Sequence, residues 1–229
     1  NKELEDFVHT VSHDLKSPLH AAKGFADMVK EQFQQHIKSD EDDYILRRIV
    51  GNIDQSISMI DDLLLLSRIG TQELKIEEVD LNEIIQDYAE QFNALKNEKI
   101  KLEIDINEKL PVLHVDRGRI IQLFTNIFNN AIKYRRGKDV KIIIDSEVLN
   151  GRIRLSIEDN GIGIDEKDLP NVLNIFYRAV KVEKSRSPEG SGVGLTIVKK
   201  IIEQHGGSID IKSKANAGTT VILELPHYH

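Results

Sequence analysis

The sequence predicts an α+β chain in two parts, an antiparallel helical hairpin followed by a two-layer α/β sandwich. Three observations carry this prediction. Apolar residues recur at alternating steps of four and three as far as Ser67. Past Asp80 the spacing becomes mixed, with helical periods separated by runs that alternate at every second residue. Between the two regions lies a short charged stretch opened by Gly70. With 229 residues and 40% hydrophobic content, the chain is long enough for two domains, each with its own core.

The first seam runs Leu4, Val8, Val11, Leu15, Pro18, Ala22, Phe25, Val29, and the second Leu46, Val50, Ile53, Ile57, Ile60, Leu64, Ser67. The polar stretch Gln34 to Asp43 joins them, so residues 1–70 are expected to form the hairpin. Phe7, Leu19, Met28, Ile45, Ile49 and Leu63 widen both apolar faces beyond what two helices can cover. A homodimer with a four-helix bundle is therefore expected. Residues 71–80 read as a linker, and 81–229 as the second domain.

In that domain Asp80 is the expected N-cap of a helix from Leu81 to about Lys96, with Glu83 completing a capping box. Strands are expected through Ile100–Ile106, Val140–Ile144, Ile153–Ile157, Ser208–Ser213 and Thr219–Leu225. Helices are expected at Arg117–Arg135, Glu166–Ala179 and Gly192–His205. This order of helices and largely antiparallel strands gives the sandwich.

Composition excludes several functions. The 31 Lys plus Arg against 38 Asp plus Glu leave a net charge of −7 with no basic face, which argues against nucleic acid. The absence of Cys excludes disulfides and thiolate metal sites and points to a cytoplasmic location. No apolar run approaches the roughly 20 residues of a membrane span. The chain opens at Asn1 inside a heptad pattern, so an upstream segment, a sensor, is expected to precede it; the parent protein could still be membrane-anchored.

Two distant signals carry chemistry. The heptad positions of Val11 and Leu15 turn His13 outward, and Pro18 leaves the Asp14 carbonyl without its helical donor, bending the helix one turn beyond the histidine. A neutral imidazole is a nucleophile towards phosphorus, and Asp14 could hold one of its N–H groups. On the later helix Asn126 and Asn130 stand at i and i+4, with Lys133 and Tyr134 near the same stripe. Amide oxygens suit Mg²⁺ and the lysine suits phosphate. Asp159-Asn160-Gly161-Ile162-Gly163-Ile164 follows a strand, where glycines admit a flat ligand closely. Gly190-Ser191-Gly192-Val193-Gly194-Leu195 opens a helix whose amides favour phosphate. The spelling of these glycines matches neither the Rossmann nor the Walker pattern.

Ser12-His13-Asp14-Leu15-Lys16-Ser17-Pro18-Leu19 resembles the phosphoacceptor box of the sensor histidine kinases of two-component systems. It departs from the common family pattern in having Asp14 for Glu, and Ser17 for the Thr or Asn tied to dephosphorylating the partner. The later motifs resemble, in order, that family's ATP-binding domain, the Bergerat fold shared with gyrase, MutL and heat-shock chaperones. The resemblance implies ATP and Mg²⁺ as ligands. Asn126, Asn130, Lys133 and Tyr134 would be the N box, with Asn130 the metal ligand. Asp159, Gly161 and Gly163 would form the first G box, whose aspartate accepts a hydrogen bond from adenine. Phe176-Tyr177-Arg178 is similar to the F box, Gly190, Gly192, Gly194 and Leu195 to the second G box, and Gly218-Thr219-Thr220 to the third. The polar stretch between Arg178 and Gly190 would be a lid, with Arg178 the phosphate contact.

Three functions compete. A histidine kinase would phosphorylate His13 from ATP and pass the phosphoryl group to an aspartate of a response regulator. A Bergerat-fold ATPase would need a water-activating glutamate four residues before the metal-binding asparagine, where this chain has Asn126. A non-catalytic nucleotide-binding dimerisation scaffold would leave His13 and the bent helix unexplained.

Overall fold

The computed structural model describes residues 15–16, 19–29, 40–69, 72–94, 100–179 and 191–226. The chain divides into two compact units, residues 1–71 with 189–193, and residues 72–188 with 194–229.

In the first unit the chain is helical over residues 19–29 (α1) and over Asp40–Ile69 (α2). The second helix begins inside the polar stretch read as a connection. Lys16 pairs with Asp61, and Lys23 Nζ lies 2.6 Å from Asp54. Seven residues forward on one helix correspond to seven back on the other, which makes the hairpin antiparallel. Such exposed pairs set register more than stability. Ala26 and Ile60 are buried, whereas Phe25 is 67% exposed and Leu15, Met28, Val29, Ile45, Ile49 and Leu63 are also open. The seam residues Leu15, Phe25 and Val29 are thus left uncovered within one chain, because two helices cannot enclose faces this wide. Among the described residues, no helix is long and apolar enough to cross a membrane.

The second unit is built on two sheets. The five-stranded sheet has the order β2-β4-β5-β7-β6, with β2 at Lys101–Ile106, β4 at Asp139–Leu149, β5 at Arg152–Asp159, β6 at Ser208–Lys214 and β7 at Gly218–Pro226. Only the β2–β4 pair is parallel. Alternation places Ile144, Ile157 and Val221 side by side, with Leu155 beside Leu223 and Ile153 beside Leu225, all buried. Lys141, Asp145, Arg154 and Glu158 on the other face are exposed. The sheet is therefore half-covered, as the period-two pattern requires. α3 (Leu81–Ala94) lies against β2, α4 (Arg117–Lys133) against β4, and α5 (Gly194–Gln204) against β6, β7 and α4.

A two-stranded ribbon, β1 (Ile76–Asp80) antiparallel to β3 (Val112–Asp116), completes the unit. β1 lies within the stretch read as a linker, and β3, spelled Val112-Leu113-His114-Val115-Asp116, is too short for a clear period-two pattern. Asp80 caps α3 as expected, but its partners are the amide and the side chain of Asn82, at 2.8 and 2.6 Å. These hydrogen bonds, the side-chain one first, hold the Asp80 carboxyl below the usual range. Asn82 also exchanges hydrogen bonds with the Leu110 backbone, so it fastens the helix start to the chain entering β3.

The helix expected at Glu166–Ala179 is not formed; one 3₁₀ turn, Leu169–Asn171, stands in its place. Amides of Asp168, Asn171, Asn174 and Tyr177 each bond the carbonyl three residues earlier, at 2.9–3.1 Å, giving a string of single turns. Pro170 supplies no N–H, and Phe176 has φ +64, which no helix admits.

Among the described residues α4 is the longest helix of this unit, and it is fixed at its start by Asp116, whose carboxylate accepts the amides of Arg119 at 3.0 Å and Lys75 at 2.9 Å. Burial opposes its charge, but these amides and the Arg119 guanidinium bring its pKa below the usual value. A depressed carboxylate stabilises the fold above its unfolded pKa, and that support is lost as pH falls through the folded pKa. Asp116→Ala is expected to cost about 1–2 kcal/mol at neutral pH in urea denaturation, with the difference from the parent shrinking on acidification.

Candidate functional site

Ile120, Leu123, Phe124, Ile127, Phe128 and Ala131 bury one side of α4, which leaves Asn126, Asn130, Lys133 and Tyr134 half-buried along another. Tyr88 and Phe124 flank Phe128 with ring centroids at 4.9 and 5.5 Å and fix the roll of the helix. Asn126 donates through Nδ2 to the Gln122 carbonyl at 2.9 Å, so its amide oxygen turns towards the start of α5. A Cβ on Gly194 would stand 3.0 Å from that oxygen and 3.7 Å from Asn130 Nδ2. The absent side chain keeps the two amides open beside the first residue of an eleven-residue helix. Helix N-termini carry unpaired amides and a positive dipole end, which suit an anion. Lys133 Nζ lies 4.6 Å from the centre of the Tyr134 ring, so its charge also belongs to this end of α4. Among the described residues, no group of three or more His, Asp or Glu side chains is placed to hold a metal ion.

The second cluster forms where β5 ends. Asp159 continues the core-facing row of Ile153, Leu155 and Ile157, which puts a carboxylate where the sheet buries hydrocarbon. Burial raises its pKa, while the amides of Gly161 and Thr219, bonded to Oδ1 at 2.8 and 3.3 Å, partly offset the rise. With Oδ1 held by two backbone donors, Oδ2 is the oxygen that can accept from a ligand. The turn beyond it is clasped on both sides. Ile162 donates to the Tyr134 carbonyl at 2.9 Å, and Ile164 to Ser213 Oγ at 2.8 Å. Ser213 Oγ in turn donates to the Gly218 carbonyl at 2.7 Å and lies 3.0 Å from Thr219 Oγ1.

Glycine is required by these contacts. A Cβ at Gly161 would meet the Tyr134 carbonyl oxygen at 2.8 Å, and one at Gly163, where φ is +69, would meet the Lys214 oxygen at 2.0 Å. A Cβ at Gly218 would fall 2.0 Å from the Asp159 oxygen. The motif spelling thus records backbone packed on backbone.

The structure brings Asn126, Asn130 and Gly194 together at one place and Tyr134, Asp159, Gly161, Gly163 and Thr219 at another. The last turn of α4 joins the two, because the Tyr134 amide caps the helix on the Asn130 carbonyl at 2.9 Å and its own carbonyl receives Ile162. Gly192, with φ +73, and the half-buried Leu195 flank the start of α5, and Arg178 is exposed. His13, Asp14, Ser17, Pro18, Gly190 and, of the lid expected between Arg178 and Gly190, residues 180–189 lie outside the described residues. Sequence reasoning missed Ser213, Asn216 and Arg136, which hold the turn through backbone carbonyls and amides and so leave no motif. Gly163→Ala is expected to cost roughly 3 kcal/mol or more from backbone strain and overlap. Gly151→Ala, at φ +72 but with nothing within 4 Å, should cost about 1 kcal/mol; thermal melts of the two variants compare them.

Residues 115–229 match the family described as histidine kinase-, DNA gyrase B- and HSP90-like ATPase, and residues 3–72 match the His Kinase A (phospho-acceptor) domain. Cyanobacterial phytochrome B of Nostoc sp. is 34% identical over 98% of this chain and 30% of its own length. The methanogenesis regulatory histidine kinase FilI of Methanothrix harundinacea is 35% identical over 99% of this chain and 25% of its own length. The chain thus spans about a quarter to a third of the length of these curated relatives. Among solved structures, a nucleotide-free catalytic domain of histidine kinase ThkA is 30% identical, covers 66% of this chain and 97% of its own, and superposes with a TM-score of 0.54. Full-length ShkA in complex with AMPPNP, at 23% identity and a TM-score of 0.68 over 96% of this chain and 45% of its own, shares the fold. A phospho-acceptor hairpin followed by an ATPase-type sandwich with these matches places the chain in the sensor histidine kinase family.

Proposed function

We propose that this chain is the kinase core of a two-component sensor, which phosphorylates His13 from ATP and passes the phosphoryl group to an aspartate of a response regulator. The observation that carries the reading is the pair of clusters joined by α4, with open amides beside the N-terminus of α5 at one place and the half-buried Asp159 carboxylate, with one oxygen left to accept, at the other. A nucleotide fits that pairing, its amino-bearing base on Asp159 Oδ2 and its phosphates towards Asn126, Asn130, Lys133 and the amides of α5.

Asn130 offers the hard oxygen that suits Mg²⁺, and the metal, when bound, would neutralise phosphate charge. Lys133 adds a cation at the same end. The His13 imidazole attacks the γ-phosphorus through one nitrogen while its other nitrogen keeps the proton. The bond to the bridging oxygen breaks, and ADP leaves with that electron pair. The chain's own contribution is positioning and charge neutralisation. Position 126 holds an amide that cannot take a proton, which favours transfer to His13 over the water activation of an ATPase.

The dimer belongs to the same proposal. Exposed Leu15, Phe25, Met28, Val29, Ile45, Ile49 and Leu63 form apolar faces that a second copy would cover in a four-helix bundle. The cytoplasm is the proposed location.

Incubation with γ-labelled ATP and Mg²⁺ is expected to give acid-labile, alkali-stable covalent label that is absent in His13→Gln and Asn130→Ala. Label-free phosphate release would support the ATPase, and nucleotide binding with neither would support the scaffold.

Asp159 gives a second test. Its raised pKa means the folded chain holds a carboxylate ionised against its burial, a cost present at neutral pH and relieved as pH falls through the folded pKa. Asp159→Asn should therefore melt no lower than the parent, yet present an N–H to the base amino group and weaken ATP binding by about tenfold or more. In the parent, ATP affinity should fall as pH drops through that pKa. Unchanged affinity in the variant would sink the base-binding role.

A further inference from the structure

The nucleotide reading leaves open what aims Asp159. We propose that Arg136 is a positioning residue for the base pocket, clasping three chain segments so that the Asp159 carboxylate faces its ligand. This rests on the reading of Asp159 as the base acceptor.

Arg136 follows α4 by three residues and is exposed. Its guanidinium nevertheless donates to two backbone carbonyls from segments far apart in sequence. Nε reaches the Asn160 oxygen at 3.0 Å, and Nη1 reaches the Asn216 oxygen at 2.5 Å. These bonds close a circuit. The Tyr134 carbonyl accepts the Ile162 amide at 2.9 Å, the Ile162 carbonyl accepts the Asn216 amide at 2.6 Å, and the Asn216 carbonyl returns to Arg136, two residues beyond Tyr134. The loop after α4, the turn at 159–164 and the β6–β7 hairpin are thereby locked to one another.

Asn216 is held in the left-handed region, at φ +63, with both its N–H and its carbonyl engaged in the circuit. Asn160 is tied independently, its side chain accepting from the Lys141 amide at 3.0 Å and donating to the Asp139 carbonyl at 3.1 Å. With its neighbours on both sides tied, the orientation of the peptide linking Asn160 to Gly161 is what Arg136 fixes directly. That peptide carries the carbonyl Arg136 holds and the Gly161 amide that pins Asp159 Oδ1. Releasing the carbonyl lets the amide turn, and the carboxylate loses the donor that orients it. A guanidinium suits this task because it is always charged and planar and presents several donors in fixed directions, whereas an ammonium is a single point donor.

The experiment compares the parent chain with Arg136→Ala and Arg136→Lys. In Arg136→Ala, KM for ATP should rise about tenfold, with the loss falling on KM rather than kcat. The preference for ATP over GTP should narrow, because guanine lacks the amino donor at that edge and gains least from an aimed acceptor. Arg136→Lys should lie between. Hydrogen exchange at the amides of Gly161, Ile162 and Asn216, read without nucleotide, should quicken in Arg136→Ala while the melting temperature stays within a few degrees. Unchanged exchange at those amides, or an unchanged KM and ATP/GTP ratio, overturns the clasp. A parent chain that binds no ATP overturns the nucleotide reading instead, and the exchange comparison still decides whether Arg136 holds the turn.

Discussion

The second unit turns on one oxygen. Asp159 Oδ1 accepts the amides of Gly161 and Thr219, from a turn and from a strand whose starting residue is about 60 positions later, and those two bonds hold a carboxylate at the end of an apolar row. Ordinarily such a group would be expelled or neutralised by desolvation. Here backbone donors supply part of what water would. Those donors are present only if the turn and the β6–β7 hairpin approach within backbone contact, which is the condition that Gly161, Gly163 and Gly218 satisfy. The carboxylate of Asp159 and a set of glycines are thus one constraint seen from two sides.

α4 is the beam that carries this constraint to the other cluster. Its apolar side is fixed by Phe124 and Phe128, and its ends are fixed by Asp116 and Tyr134. A helix held at both ends and along one face has no freedom to roll. The amides of Asn126 and Asn130 therefore stand at a set distance, along one helix, from the carbonyl of Tyr134 that grips the turn. A ligand spanning both clusters would be measured against a rigid length.

Much of this was legible in the sequence, for a physical reason. The Asn126–Tyr134 stripe, the alternating strands and the glycine spellings all express a period or a steric demand, and both are written locally. Asp80 and the five strands of the main sheet were read correctly on that basis. The failures have a common cause. β1 and β3 are stabilised by each other, the segment from Glu166 to Ala179 is shaped by Pro170 and by left-handed Phe176, and Arg136 acts on carbonyls that any residue would supply. Interactions whose partners are backbone atoms of distant segments leave no residue pattern to read.

The same distinction bears on the chemistry. In the proposed kinase site the chain offers amide oxygens, backbone amides and a lysine around the phosphates, while its titratable carboxylate is committed to the base. Such a set can orient and neutralise, but the amide of Asn126 cannot draw a proton from water. A neutral imidazole needs no such help, since its lone pair is available near neutral pH. A site assembled this way would wait for a nucleophile that arrives already competent, the part proposed for His13 of the phospho-acceptor hairpin. In the proposed kinase an amide in place of a base at position 126 would then act as a safeguard, limiting the loss of bound nucleotide to water.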